Sequence, residues 1–308
     1  MSATVSLKEL LSREQIFAPC IYDCFSADAA KNAGYKAALI SGGAVSGSLI
    51  GTPDMAFLNF EELVQVTQRI CRYSDLPMIV DMDDGYAESP AVIFYNTKRL
   101  IDAGAMAVTI EDSTGIRGWE RLLHNGGKQN ALVSENEWLA KIKAASEACK
   151  GTDCMIIART ATKYTYGLEE ACKKLNHAFE CGAHMALAVG IKTPEDVAFM
   201  GEHLKGWKMY PDVSAHDGKP DVELDYMEKN GFNLVTMHYM EKGAIWGMVK
   251  YGMENLKNKS TVYSEWHDMN GYDKYFKRRT IANSMLEMED RCFDNPCWRP
   301  QRESKISM

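Results

Sequence analysis

Eight short apolar runs, each followed by a stretch with helical periodicity, recur along the chain and constrain its fold more than any other feature. They end near Tyr22, Ser41, Asp81, Glu111, Arg159, Val189, Asp212 and His238. Amphipathic helices are expected between them, among others over 60–73, 89–103, 134–149 and 167–181. Strands buried on both faces and joined through helices build a parallel sheet. An open doubly wound sheet would also alternate strand and helix, but eight repeats within about 240 residues favour closure into an α/β (β/α)8 TIM barrel. Seven of the eight runs end in or beside a polar or charged residue. A ring of polar groups at the strand C-termini is the expected layout of an enzyme site.

The 308 residues, 46% of them hydrophobic, suffice for one large domain, expected over 1–258. The remainder, 259–308, is too short for a second domain. It has helical character over 275–292 and a stop signal from Asn295 to Pro300, and is expected to pack on the barrel or on a neighbouring subunit. No apolar run approaches the roughly 18 to 20 residues that span a bilayer, and the N-terminus is charged where a signal peptide is apolar. A cytoplasmic protein with no membrane contact is expected. The nine cysteines form no Cys-x-x-Cys pair, which points to reduced thiols rather than to disulfides or zinc. A net charge of −7 without a basic stripe speaks against nucleic acid as a partner.

Asp81-Met-Asp83-Asp84-Gly85 follows the apolar run 76–80. Alternate residues of a strand point the same way, so Asp81 and Asp83 can aim at one point, and hard cations such as Mg²⁺ take a few carboxylate oxygens plus waters. Glu111 ends another apolar run and joins this metal set if the two strands are neighbours. A solvated turn or helix cap is the competing reading. Ser41-Gly42-Gly43 opens a small-residue loop whose backbone N–H groups could hold a carboxylate or enolate oxygen; without the Gly-Lys-Ser/Thr of a nucleotide loop, phosphate is not expected there. Arg159 is a cation at the end of an apolar strand and needs an anion, either a substrate carboxylate or a structural partner such as Glu111 or Asp81. Tyr22 is placed to offer a hydroxyl to the same ligand, while Asp23 beside it suits a helix cap. The aperiodic segment 112–135 reads as a lid, with His124 as its candidate acid or base. His238, at the last strand end, is a second candidate for general acid/base work, against the alternative of a core histidine.

Over residues 22–243 the chain resembles the isocitrate lyase/phosphoenolpyruvate mutase superfamily. The resemblance rests on Tyr22-Asp-Cys-Phe-Ser-Ala27, Ser41-Gly-Gly with Gly51-Thr-Pro-Asp54, Asp81-Met-Asp-Asp-Gly-Tyr86, Ile110-Glu-Asp112, Ile156-Ile-Ala-Arg-Thr160 and Cys181-Gly-Ala183. It implies a (β/α)8 barrel whose C-terminal helix is swapped between subunits of a homotetramer, a dimer of dimers. It also implies bound Mg²⁺, with Mn²⁺ as the alternative, and a small 2-oxo or 2-hydroxy dicarboxylate as partner. By position Asp81 would be the direct metal ligand, Asp83 and Glu111 would act partly through water, and Asp54 would support the cluster. Ser41, Gly42 and Gly43 would hold the oxo-acid end, Arg159 a carboxylate, and Asp212 would stand among the substrate contacts at the seventh strand.

Departures from the family pattern bear on the chemistry. The carbon–carbon lyases carry a cysteine in a Lys-Arg/Lys-Cys-Gly-His lid sequence, whereas 115–124 here contains none. The glutamate of the sixth strand end is Val189 here, and the asparagine of the seventh is replaced near Asp212. The expected activity is Mg²⁺-dependent cleavage of a C–C bond beside a 2-oxo or 2-hydroxy carboxylate of the substituted malate or isocitrate type. Oxaloacetate decarboxylation, a C–P reaction of the phosphonopyruvate type, and a non-catalytic barrel subunit are the alternatives.

Overall fold

Alternate residues of a barrel strand face the lumen and the surrounding helices, and burial in this chain follows that rule strand by strand. The computed structural model describes residues 5–114, 132–216, 219–260 and 277–292. Strands β1 (Ile16–Ile21), β2 (Ala38–Ile40), β3 (Met78–Asp81), β4 (Ala107–Glu111), β5 (Met155–Thr160), β6 (Met185–Ala188), β7 (Trp207–Tyr210) and β8 (Phe232–Met237) run parallel. Each pairs with its neighbours in sequence, and β1 pairs with β8, so the sheet is a closed barrel. A two-stranded hairpin, Ala215–His216 with Lys219–Pro220, is inserted between β7 and β8.

The core has two layers. Ala18 and Cys20, Leu39, Ile79, Ala107, Ile157, Leu187, Met209 and Leu234 fill the lumen. Ile40, Val80, Val108, Ile110, Ile156 and Ala186 pack outward against the helices. Carrying the alternation upward places Tyr22, Ser41, Asp81, Glu111, Arg159, Val189, Pro211 and His238 over the lumen at the C-terminal rim. Seven of these are the expected run ends. At the seventh strand the phase falls on Pro211, and Asp212 lies one residue beyond.

Helix α1 (Leu7–Arg13) is capped by Ser6 and buries Leu7 and Leu11 in the lumen layer, closing the barrel at its N-terminal end. It is followed by α2 (Cys24–Asn32), α3 (Gly42–Val45), α4 (Phe60–Tyr73), α5 (Pro90–Ala103), α6 (Glu135–Cys149), α7 (Lys163–Tyr166), α8 (Leu168–Glu180), α9 (Pro194–His203), α10 (Leu224–Lys229), α11 (Met240–Asn258) and α12 (Lys277–Cys292). The expected helix over 60–73 is found with the same bounds, opened by an Asn59/Glu62 capping box. The others begin one residue later than expected because Ser89, Ser134 and Gly167 are their N-cap residues. Residues 115–131 of the expected lid, His124 included, lie outside the described residues; at its ends, Ser113 and Leu132 form an antiparallel bridge and Val133 N donates to Asp112 O at 2.9 Å.

The chain divides into two units, Met1–Trp246 with the whole barrel and Gly247–Met308. In the second, α12 exposes Met285, Leu286 and Met288. Among the described residues no helix is long and apolar enough to cross a membrane.

Lys208 stands on the outward phase of β7, 4% exposed, with its Nζ on the Gly206 carbonyl at 3.1 Å and, among the described residues, no carboxylate in an ion pair with it. Burial lowers its pKa, so between the folded and unfolded values the unfolded chain binds more protons and stability rises with pH. Lys208→Met is therefore expected to raise the urea midpoint at pH 7. Its advantage should shrink as pH approaches about 10, where the unfolded lysine titrates.

Candidate functional site

Three strand ends bring the acids together. Asp81 and Glu111 end β3 and β4, neighbours in the sheet, and Glu111 lies in register with Arg159 of β5. The Arg159 guanidinium donates to both Asp81 carboxylate oxygens at 3.0 Å and lies 3.4 Å from Glu111 Oε2. Thr109 Oγ1 donates to Asp81 Oδ1 at 2.8 Å, fixing that carboxylate from the layer below. Burial by itself would lower the Arg159 pKa, but Glu111, Asp81, Asp83 and Asp54 outweigh it and raise it, so the guanidinium stays charged. Asp81 and Glu111, the structural partners weighed for Arg159 in the sequence, are both in contact with it.

Asp83 reaches the cluster through a strained turn. Its φ of 51° is left-handed, a conformation that aspartate tolerates better than most residues, and Glu111 N donates to its carbonyl at 2.7 Å. The turn closes through Gly85, φ 93°, where an added Cβ would lie 2.2 Å from Ile93 Cδ1. Tyr86 OH donates to Asp83 Oδ2 at 3.3 Å. Beneath the turn, buried Lys141 of α6 donates to the Asp84 carbonyl at 3.2 Å, and Trp138 Nε1, one helical turn earlier, donates to the Ile110 carbonyl at 3.1 Å.

At the end of β2, the neighbour of β3, Ser41 caps α3, its hydroxyl accepting from Ala44 N at 3.3 Å. Gly42 and Gly43 open that helix, where the leading N–H groups have no intrahelical acceptor. An added Cβ on Gly42 would meet Asp83 Oδ2 at 3.6 Å, and one on Gly43 would crowd the Asp54 carboxylate at 3.2 Å, so the glycines let backbone approach the acids. Tyr22 is partly buried, and burial followed by the charges of Asp23 and Glu241 raises its pKa, keeping the phenol a neutral donor. Asp23 forms the capping box of α2 with Ser26 and has no place in the cluster.

Asp212 and His238 form a pair at the adjoining rim. Asp212 Oδ1 accepts from His238 N at 3.1 Å and lies 3.3 Å from His238 Nδ1. Burial opposes the Asp212 charge, yet the His238 contacts and Lys242 hold its pKa below the ordinary value. Asp212 thus orients an imidazole through one ring nitrogen.

The donor chemistry suits a hard divalent cation. Among the described residues the charges of four carboxylates, Asp54, Asp81, Asp83 and Glu111, bear on one guanidinium, an oxygen donor set of the kind such a cation takes. As the side chains stand, Arg159 lies between Asp81 and Glu111, and no three acidic, histidine or cysteine side chains among the described residues converge closely enough to grip an ion.

Sequence reasoning missed the buried supports, Trp138, Lys141, Asp112 and Lys174. Helical phase carried a signal for both lysines. Trp138, Lys141, Ile142 and Ala145 lie on the buried stripe of α6, and Ala171, Lys174, Leu175 and Ala178 on that of α8. A lysine on an apolar stripe must find a buried partner.

Residues 7–256 match the family model described as phosphoenolpyruvate phosphomutase. An oxaloacetate decarboxylase of Paraburkholderia xenovorans is 32% identical over 200 residues, 65% of this chain and 65% of that protein. A 2-methylisocitrate lyase of Aeropyrum pernix is 28% identical over 91% of both chains. The crystal structure of 2,3-dimethylmalate lyase, a phosphoenolpyruvate mutase/isocitrate lyase superfamily member, superposes with a TM-score of 0.75 at 24% identity, covering 90% of this chain and 94% of that one, a likeness of fold. The carboxylates gathered at the strand ends, the arginine between them and the closed eightfold barrel thus accompany a match across most of the sequence, and the chain belongs to the phosphoenolpyruvate phosphomutase family.

Proposed function

We propose that this protein is a metal-dependent lyase that breaks a C–C bond beside a 2-oxo or 2-hydroxy carboxylate. The observation that carries the reading is the charged Arg159 held between Asp81 and Glu111 at the barrel mouth. This is a cation and an acid set built to exchange partners when an anion and a metal arrive. Mg²⁺, or Mn²⁺, held by Asp81 with Asp83 and Glu111 would supply Lewis-acid stabilisation of developing negative charge. Arg159 binds the substrate carboxylate, and the N–H groups of Gly42 and Gly43 with the neutral Tyr22 hydroxyl orient the oxo-acid end. His238, with Nδ1 toward Asp212, has Nε2 available to deliver a proton to the carbon left by bond cleavage.

The Asp212–His238 pair favours a second reading, oxaloacetate decarboxylation, which needs protonation of the enolate carbon but no lid acid. The similarity to named lyases and to a named decarboxylase supports both. Product release separates them. Purified protein is incubated with oxaloacetate, 2-methylisocitrate, isocitrate, 2,3-dimethylmalate and phosphonopyruvate, with Mg²⁺ and with EDTA. Mg²⁺-dependent pyruvate or succinate from a branched substrate supports the lyase, and pyruvate with CO₂ from oxaloacetate alone supports the decarboxylase. No product from any substrate would contradict both.

The subunits are further proposed to assemble as a homotetramer in the cytoplasm. Ile245, Trp246, Met248, Val249, Met253 and Leu256 of α11 are exposed, more apolar surface than an isolated helix face ordinarily leaves in water. Light scattering that returns a monomer would contradict this assembly.

A further inference from the structure

Behind the rim, on the helix side of β4 and β5, lies a buried polar cluster whose side chains face away from the lumen. Asp112 is 0% exposed and follows Glu111 directly. Its Oδ1 accepts from Ala161 N at 2.9 Å, and its Oδ2 accepts from Lys174 Nζ at 2.6 Å, from Thr162 Oγ1 at 3.1 Å and from the Thr160 hydroxyl. Asp112 N donates in turn to the carbonyl of Arg159 at 3.2 Å. Lys174, itself 7% exposed, also lies over the Trp138 ring with its Nζ 5.1 Å from the centroid, and that indole donates to the Ile110 carbonyl. One ion pair therefore ties together the residues on either side of Glu111, namely Ile110 and Asp112, and the residues after Arg159, namely Thr160, Ala161 and Thr162.

Burying this pair is expensive, and replacing such a pair by packed apolar groups is often neutral or stabilising, so stability alone gives little reason for it. Position gives a better one. Glu111 and Arg159 face the lumen on the alternate phase from Asp112 and Thr160, so a fixed backbone at 110–112 and 159–162 sets where a carboxylate and a guanidinium stand 3.4 Å apart. An error of about 1 Å at reacting groups is costly, and groups behind metal ligands commonly govern affinity by about 10- to 100-fold. We propose that Lys174, acting through Asp112, is a positioning residue that aligns Glu111 with Arg159 for ligand binding at the rim. The inference rests on the reading of the rim as a metal and carboxylate site.

The test compares wild type, Lys174→Met, Lys174→Arg and Thr162→Val, the last removing one hydroxyl from the cluster and sparing the ion pair. Hydrogen exchange is measured on the free proteins, and Mn²⁺ and oxalate affinities on the folded ones. Lys174→Met is expected to speed exchange of the Glu111 and Asp112 amides by at least about tenfold, while the Ile79 and Ala107 amides near the barrel floor are unchanged. It is also expected to weaken Mn²⁺ and oxalate binding by about 10- to 100-fold. Lys174→Arg should restore both to within about threefold, and Thr162→Val should fall between. If Lys174→Met only lowers the melting temperature, with rim exchange and Mn²⁺ affinity as in wild type, the inference is overturned. A wild type that binds no Mn²⁺ would overturn the reading of the rim instead, and the exchange pattern alone would then decide whether Lys174 aligns these strand ends. Should Lys174→Met fail to fold, Thr162→Val decides by the same two readouts.

Discussion

Asp81→Ala is expected to remove turnover by about 10³-fold or more, the scale set by losing several kcal/mol of charge stabilisation at the reacting oxygen. Two effects combine at this residue. Asp81 is the carboxylate to which Arg159 donates twice, and it is held in place by Thr109 and by the β3 register. Removing it takes away the acid proposed as the direct ligand. It also leaves the guanidinium to Glu111, which competes with its use on a substrate carboxylate. The variant should remain folded, because Asp81 is partly exposed at the rim and the barrel layers lie beneath it. Turnover with the productive substrate at saturating Mg²⁺ checks this, with circular dichroism as the control for folding. Activity within tenfold of wild type would remove the metal cluster from the account.

The second large effect is on stability. Asp112→Ala should cost about 3–5 kcal/mol, the usual result of removing one partner from a buried ion pair. Lys174 would be left beside Trp138 and the barrel wall without its carboxylate, while the Thr160 and Thr162 hydroxyls and Ala161 N–H would lose their common acceptor. Urea unfolding measures it. A loss below about 1 kcal/mol would mean that water or a rearranged side chain replaces the carboxylate at little cost. Asp212→Ala provides a contrast, because the Asp212 and His238 side chains are about half exposed and pairs open to solvent contribute little to stability.

Much of this site was legible in the sequence for a simple reason. A parallel barrel strand has a two-residue period and a defined C-terminal end, so the last lumen-facing residue can be counted from the apolar run below it. Tyr22, Ser41, Asp81, Glu111, Arg159 and His238 follow from that count. The count slips at the seventh strand, where Pro211 takes the lumen phase and Asp212 instead turns toward His238. It also says nothing of which rim groups pair with one another. Arg159 had a substrate carboxylate and structural acids as chemically reasonable partners, and only the three-dimensional arrangement shows its contacts with Asp81 and Glu111. The floor of the barrel was hidden for another reason. Leu7 and Leu11 make a short helix of two buried residues among charged ones, too brief to stand out by periodicity.

Buried charges were the hardest to see. Lys173 and Lys174 are adjacent, yet the first pairs with Glu169 and Glu170 in solvent and the second enters the core to meet Asp112. A helical step of about 100° separates those fates, and charge counts cannot register it.

The most direct test of the central claim is the affinity of oxalate, a planar dicarboxylate that can satisfy both a cation and Arg159, measured by calorimetry with Mg²⁺ and with EDTA. The account predicts tight binding only when Mg²⁺ is present, lost in Asp81→Ala and weakened in Arg159→Met. Oxalate that binds equally well in EDTA, or not at all under either condition, would contradict it.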